Sequence, residues 1–384
     1  MAGRILFYIQ HLLGIGHLAR ASRIATALIE RGAEVTLVTG GMPVSGFPPP
    51  GVPHVALPPL RSASEGFKGF ADGSGAEASP AYLAARRDLL LQTFRDLRPD
   101  VVVTEAFPFG RRQMRFELLP LIAALEAATP RPRLVASVRD IVQEKTKAER
   151  DRETVEMIRA HYDLVLVHGD PAFAALKDSF PLADDIADKI RHTGLVVPPA
   201  PEPAKDGVDV VISAGGGAVG AALSRAALGA LARLSGRLSV CLITGPNLPE
   251  PVRADLAASA ASLPQHDLRL ETFYPGLARL LAASKLSISQ AGYNTVGDIL
   301  QAGCRSILVP YAAGDETEQT RRAERLERIG RAYVIAETRL DAESLAGAIT
   351  AALATPRPAP GGGGLALDGA TRSAELLCAV AEGG

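Results

Sequence analysis

Short runs rich in Val, Ile and Leu recur along the chain, separated by longer stretches in which apolar residues return every three or four positions. Continuous apolar runs of this kind belong to parallel strands covered by helices on both faces, so the pattern predicts a doubly wound α/β fold. In the first half, strands are expected near 4–10, 34–39, 54–57, 100–106, 133–138, 163–168 and 190–196, with helices in most of the gaps. Residues 61–80 interrupt the rhythm. Rich in Gly, Ser, Ala and isolated charges, they read either as a mobile surface loop beside a ligand site or as a disordered insertion.

The segment Val197-Pro198-Pro199-Ala200-Pro201-Glu202-Pro203 combines fixed φ angles with missing amide donors. Neither a helix nor a central strand continues through it, so it marks a domain boundary. A second α/β series follows, with strands expected near 208–213, 238–244, 268–273, 286–289, 305–310 and 332–336. The expected organisation is a first Rossmann-like domain over 1–197, a second over 207–356 and, after a Pro- and Gly-rich linker, a terminal helix within 365–384. A length of 384 residues agrees, since it exceeds the range in which one core keeps growing.

Composition removes several function classes. Hydrophobic residues make up 47% and charged residues 22% of the chain, the balance of a globular protein rather than a disordered or fibrous one. The 41 Lys and Arg against 42 Asp and Glu leave a net charge of −1, so no global field favours nucleic acid or an anionic membrane. Cys241, Cys304 and Cys378 are far apart and odd in number, which fits a reducing compartment, the cytoplasm by default. No apolar run approaches the ~18–20 residues that span a bilayer, and the run at 5–9 reads as a first strand rather than a signal peptide. Peripheral membrane contact stays open.

The first strand leads into Gly14-Ile15-Gly16-His17-Leu18-Ala19-Arg20 and then a helix. Glycines there let backbone amides approach a ligand, and the helix start adds partial positive charge. The spacing also matches a dinucleotide fingerprint, but the second strand runs into Thr39, Gly40 and Gly41, without the acid that would hold the ribose. A second loop, Ser213-Ala214-Gly215-Gly216-Gly217-Ala218-Val219-Gly220, repeats the arrangement, and its following strand also lacks an acid. One glycine loop per half suits a donor held between two domains facing across a cleft better than a single dinucleotide site. The alternative reading of each loop is a tight connection without ligand. No Walker loop, His-Glu-x-x-His, nucleophile elbow or Asp-x-Asp motif is present, which counts against ATPases, zinc proteases, α/β-hydrolases and metal-dependent transfer.

The segment Ser289-Gln290-Ala291-Gly292-Tyr293-Asn294-Thr295-Val296-Gly297-Asp298, followed by Ala302-Gly303, Val309-Pro310-Tyr311 and Gly314-Asp315-Glu316-Thr317-Glu318-Gln319, resembles the C-terminal domain of glycosyltransferase family 28. The glycine loop with His17 and Arg20 is similar to that group and to UDP-sugar hydrolases of nonulosonic acid pathways. The resemblance covers both glycine loops and roughly 270–330. It implies a GT-B fold, a donor nucleotide bound mostly by the second domain and a final helix returning to the first. Carried over by position, the base would meet the backbone at Phe273 and Tyr274, and the ribose would meet Asp298, where many relatives have Glu. Gly14 and Gly16 of the first loop would meet the donor, and the diphosphate would lie against Ser213, Gly215, Gly216 and the helix starting near Gly292, Asn294 and Thr295. Glu318 and Gln319 would face the sugar hydroxyls, or else simply form a solvated helix start.

Sugar transfer needs a base for the acceptor hydroxyl, and His17 in the first loop is the leading candidate. Glu105 and Asp140 each follow the C-terminal end of an expected strand, where ligands bind in open α/β sheets, and are further catalytic candidates. Arg111, Arg112 and Arg115 read as an anionic acceptor site or as an exposed helix face. His168-Gly169-Asp170-Pro171 reads as a rim of the cleft or as a turn in which Asp170 caps a helix. The sequence therefore points to a metal-independent, inverting glycosyltransferase without a cofactor, taking a UDP-sugar donor and a small-molecule, lipid-linked or glycan acceptor. The alternatives are a nucleotide-sugar hydrolase and a nucleotide-sugar-binding protein without turnover.

Overall fold

The computed structural model describes residues 3–12, 16–62, 69–142, 148–213, 220–245, 248–312 and 317–383. The chain divides into two compact units, Met1–Val196 with Asp368–Gly384, and Val197–Leu367. Chain order in the first runs β1 (Arg4–Ile9), α1 (Gly16–Glu30), β2 (Glu34–Thr39), β3 (His54–Ala56), β4 (Arg61–Ser62), β5 (Phe70–Ala71), α2 (Pro80–Leu97), β6 (Val101–Glu105), α3 (Arg115–Glu126), β7 (Arg133–Arg139), α4 (Ala148–His161), β8 (Leu164–His168) and β9 (Ile190–His192). The second holds β10 (Val210–Ser213), α5 (Ala221–Leu231), β11 (Ser239–Ile243), α6 (Glu250–Ala261), β12 (Asp267–Glu271), α7 (Leu277–Ala283), β13 (Leu286–Ser289), α8 (Tyr293–Ala302), β14 (Arg305–Leu308), α9 (Glu318–Arg328), β15 (Tyr333–Val334) and α10 (Ala342–Leu353). The last helix, α11 (Gly369–Ala381), belongs to the first unit.

Each unit is built on a parallel sheet, ordered β3-β2-β1-β6-β7-β8-β9 in the first and β12-β11-β10-β13-β14-β15 in the second. In both, chain order reverses beside the first strand, at β1/β6 and at β10/β13, and the crevice at the carboxyl ends of such strands is where open α/β sheets bind ligands. The alternation of β1 explains its central place. Leu6 and Tyr8 enter one apolar cluster with α2 and α3, while Ile5, Phe7 and Ile9 enter another with α1 and α11. Helix α11 lays Ala374 and Leu377 into the cluster that holds Ala21, Ile24 and Leu28 of α1. Its first residue, Gly369, sits where an added Cβ would stand 2.4 Å from the Gly194 carbonyl, so only glycine permits the approach.

The region 61–80 departs from both sequence readings. Strands β4 and β5 pair antiparallel, the Asp72 carboxylate accepts the Ser74 and Gly75 amides at 2.9 and 3.0 Å, and Ser79 caps α2 through Tyr82 at 3.2 Å. Residues 63–68 lie outside the described part. The strand expected over 190–196 ends at His192, just before Gly194 turns the chain with φ of 82°. Among the described residues no helix is long and apolar enough to cross a membrane.

Replacing Leu377, fully buried against α1, by Ala is expected to destabilise the first unit by about 2–5 kcal/mol. Urea unfolding of the variant beside the parent chain measures this; a midpoint unchanged within error would mean that α11 does not support the unit.

Candidate active site

At the reversal point of the first sheet, β1 and β6 run in register from Ile5↔Val101 to Tyr8↔Thr104, which puts Glu105 at the carboxyl end of the sheet. His17, in the first turn of α1, places Nδ1 2.9 Å from Glu105 Oε1. Arg20, three residues along the same helix, donates to the same oxygen. From β7, whose Ser137 is the register partner of Glu105, the Ser137 hydroxyl donates to Oε2. The side chain of Glu105 is 0% exposed and that of His17 13%.

Electrostatics follow from this packing. Burial alone would push the Glu105 carboxyl up, but Arg20 and the hydrogen bond and charge of His17 hold it well below the usual carboxylate range. Burial pushes the His17 imidazole down to about 4, against the opposing pull of Glu105 and with the help of Arg139 and Arg20. His17 is therefore neutral at pH 7. An ionised carboxylate can only accept, so the hydrogen sits on Nδ1 and the lone pair on Nε2.

A cavity of about 220 Å³ opens beside this pair, lined by His17, Gly110, Arg111, Gln113 and Arg139 among others. Arg111 reaches it from a left-handed backbone conformation, φ 55°, with Nε donating to the Gln10 carbonyl at 2.9 Å. Burial, reinforced by the neighbouring Arg139, holds the Arg111 guanidinium below its ordinary value. Two cations thus share one small concavity with a neutral histidine.

Other first-unit expectations land differently. Asp140 is fully buried, accepts the Ile141 amide at 2.9 Å and does not line the cavity. Arg112 and Arg115 both pair with Glu153, the latter at 2.6 Å, so they part company with Arg111. His168 is fully buried rather than on a rim, and Asp170 accepts the Ala172 amide at 2.8 Å within a turn. Gly16 opens α1, while Gly14 lies outside the described residues.

In the second unit Ser213 ends β10, buried, and Gly215 and Gly216 lie outside the described residues. Helix α8 begins beside it, with Asn294 and Thr295 in its first turn, half-buried Asp298 one turn on, and Gly292 at the N-cap, which has no side chain to bond the first amides. Gln319 fixes this turn: its Oε1 accepts the amides of Ala291 at 3.0 Å and Tyr311 at 3.2 Å. Glu318 is buried and pairs with Arg322 at 2.9 Å, and Arg322 also donates to the Ala291 carbonyl at 3.2 Å and lies 5.5 Å over the Tyr293 ring. Glu318 and Gln319 thus both brace the loops around α8, and burial corrects the solvated reading of Glu318. Phe273 is 68% exposed just after β12, and the Tyr274 hydroxyl donates to Asp206 at 3.0 Å. Among the described residues no cluster of three or more His, Cys, Asp or Glu could hold a metal ion.

Residues 211–360 match the glycosyltransferase family 28 C-terminal domain. That match falls within the second unit. Curated relatives include the UDP-N-acetylglucosamine--N-acetylmuramyl-(pentapeptide) pyrophosphoryl-undecaprenol N-acetylglucosamine transferases of Cupriavidus necator, 31% identical over 54% of this chain and 59% of that protein, and of Azoarcus sp., 33% identical over 46% and 47%. Another, from Rhodospirillum centenum, is 37% identical over 23% of this chain and 24% of its own length. The chain thus spans between about a quarter and three fifths of the length of these relatives. Among solved structures, MurG of Acinetobacter baumannii aligns over 99% of this chain and 95% of its own with a TM-score of 0.60 at 16% identity. The spinosyn rhamnosyltransferase SpnG complexed with thymidine diphosphate gives 0.57 at 15%, over 99% and 96%. At such identities the likeness is one of fold, and the fold is GT-B.

Both site histidines bind protons less readily folded than unfolded, from 6.5 to about 4 for His17 and to about 3 for His168. The unfolded chain therefore binds more protons as pH drops below 6.5, and the stability these groups contribute is lost progressively towards those lower values. The melting temperature is expected to fall between pH 7 and 4.5, and to fall less steeply in His17→Gln. Parallel pH profiles for the two proteins would contradict the buried neutral imidazole.

Proposed function

We propose that this protein transfers a sugar from a UDP-sugar to a hydroxyl of an acceptor that carries an anionic group, with inversion and without a metal ion. The observation that carries the reading is the neutral His17, oriented through Nδ1 by buried Glu105 and lining a concave site. In the reaction, Nε2 takes the acceptor hydroxyl proton as the oxygen bonds to the anomeric carbon. The bond from that carbon to the diphosphate breaks, and its electron pair leaves with the diphosphate. Positive charge forming on the imidazole is balanced by Glu105. Negative charge forming on the diphosphate is met at the N-terminus of α8, whose dipole suits an anion.

An imidazole held at about 4 is a weak base. Arg139 and Arg20 contribute to that depression, so an anionic acceptor seated against Arg111 and Arg139 would raise His17 towards its ordinary value as it binds. This coupling supports an acceptor bearing phosphate or carboxylate. The curated relatives are named for a pyrophosphoryl acceptor and a UDP donor, which supports both halves of the proposal.

His17→Ala should lower kcat by ~100- to 10,000-fold with UDP affinity by calorimetry unchanged; equal saturating rates would remove the base role. UDP release that proceeds equally fast with no acceptor present would identify a hydrolase instead.

Asp298→Ala should weaken UDP binding roughly tenfold to a hundredfold, the loss of a charge-assisted ribose contact of about 1.5–3 kcal/mol. Unchanged affinity with a native circular dichroism spectrum would take Asp298 out of the donor site.

A further inference from the structure

Behind Glu105 lies a row of polar side chains, each from a successive strand or its immediate end: Glu105 on β6, Ser137 on β7, His168 on β8 and Thr193 just after β9. All are buried. Ser137 Oγ stands 2.8 Å from His168 Nε2, and His168 Nδ1 stands 3.0 Å from Thr193 Oγ1. The directions of these bonds can be assigned. The single hydroxyl hydrogen of Ser137 goes to Glu105 Oε2, because an ionised carboxylate only accepts. Ser137 therefore accepts from His168, whose hydrogen is on Nε2, and the bare Nδ1 faces the Thr193 hydroxyl, which also lies 3.0 Å from the Gly194 carbonyl. The Ser373 hydroxyl, 3.4 Å from Nδ1, is 2.5 Å from the Gly369 carbonyl and donates there.

We propose that Ser137 and His168 are positioning residues for His17: the row fixes the plane of the Glu105 carboxylate, so that Oε1 meets Nδ1 of His17 and Nε2 is presented to the cavity. The proposal rests on the reading of His17 as the base. A carboxylate bound on one oxygen only could rotate about its terminal torsion, which is broad and shallow. With Oε2 tied to the neighbouring strand, that rotation is closed. His168 suits the task because burial, reinforced by Arg20, pushes its imidazole down to about 3. It stays neutral, one nitrogen donating and the other bare, over the working pH range. The charged and titratable groups that act on this assembly include Arg20 and His17 on α1, Glu105 on β6, Arg111 in the turn before α3, Arg139 on β7 and His168 on β8.

The test compares Ser137→Ala, His168→Leu and His168→Gln in the full chain. Glutamine can donate to Ser137 and accept from Thr193, so it is the conservative replacement. Imidazole nitrogen NMR reports the tautomer and pKa of His17 without any turnover, and kcat and KM for UDP-sugar transfer are measured across pH. Loss of the Ser137 hydrogen bond makes Glu105 more basic, which strengthens its pull on the Nδ1 hydrogen. The His17 pKa should therefore rise in Ser137→Ala, with the acid limb of kcat moved to higher pH. In both Ser137→Ala and His168→Leu, where Ser137 is lost or loses its support, kcat should fall about tenfold or more as the carboxylate plane loosens, with KM steady. His168→Gln should restore the parent values. An unaltered His17 pKa and tautomer in folded Ser137→Ala would overturn the proposal, as would equal losses in His168→Gln and His168→Leu. If His17→Ala keeps full kcat, the base reading fails, while the NMR comparison still decides whether the row holds the imidazole.

Discussion

A carboxylate shut away from water at the end of β6 is the constraint on which the functional end of the first unit depends. An ionised group in that position is strongly unfavourable unless donors surround it. Glu105 obtains them from α1, through His17 and Arg20, and from β7, through Ser137. The requirement reaches far into the fold. Strands β6 and β7 must keep their register, α1 must start at the height of the sheet's carboxyl edge, and the α1–α11 packing must hold that helix in place. A shift of one residue in either strand would point Ser137 to the opposite face and leave an oxygen without its donor.

The second unit handles its corresponding corner by different means. There the feature to be held is backbone, the turn from β13 into α8, and it is braced by one neutral amide and one buried guanidinium. Gln319 joins two loops through a single oxygen, and Arg322 joins Glu318 to the Ala291 carbonyl. A turn held at two points by side chains from α9 presents the start of α8 in a fixed orientation, the kind of preorganisation that electrostatic stabilisation of a leaving anion needs.

Strand positions were the most legible part of the sequence, because strands buried on both faces are continuous Val, Ile and Leu runs and all thirteen expected runs carry strand in the structure. The short pair β4 and β5 was not, since two residues on each side give no periodicity. At the site, His17 and Glu105 were each visible as polar residues next to strand ends, but their pairing was not. It depends on β1 lying beside β6, and order across a sheet is absent from local pattern. Ser137 did leave a signal, a lone hydroxyl between Ala136 and Val138 in an apolar run. Arg111, Arg112 and Arg115 looked alike in sequence; the left-handed turn at Arg111 sends only the first towards the cavity. The bracing of the α8 turn by Glu318 and Gln319, through Arg322, Ala291 and Tyr311, was not visible, because it joins the start of α9 to loops that local pattern does not bring together.

The docking of α11 on α1 also orders events in time. The first unit is closed by residues that come after the whole of the second in the chain. During synthesis the ribosome releases β1 through β9 and then all of Val197–Leu367 before the segment that covers Ala21, Ile24 and Leu28 exists. Until then that face of α1 is an uncovered apolar strip on a nascent chain, the kind of surface chaperones bind. Completion of the first unit, and with it the lasting alignment of the helix that carries His17 and Arg20, therefore waits on residues that follow the whole of the second.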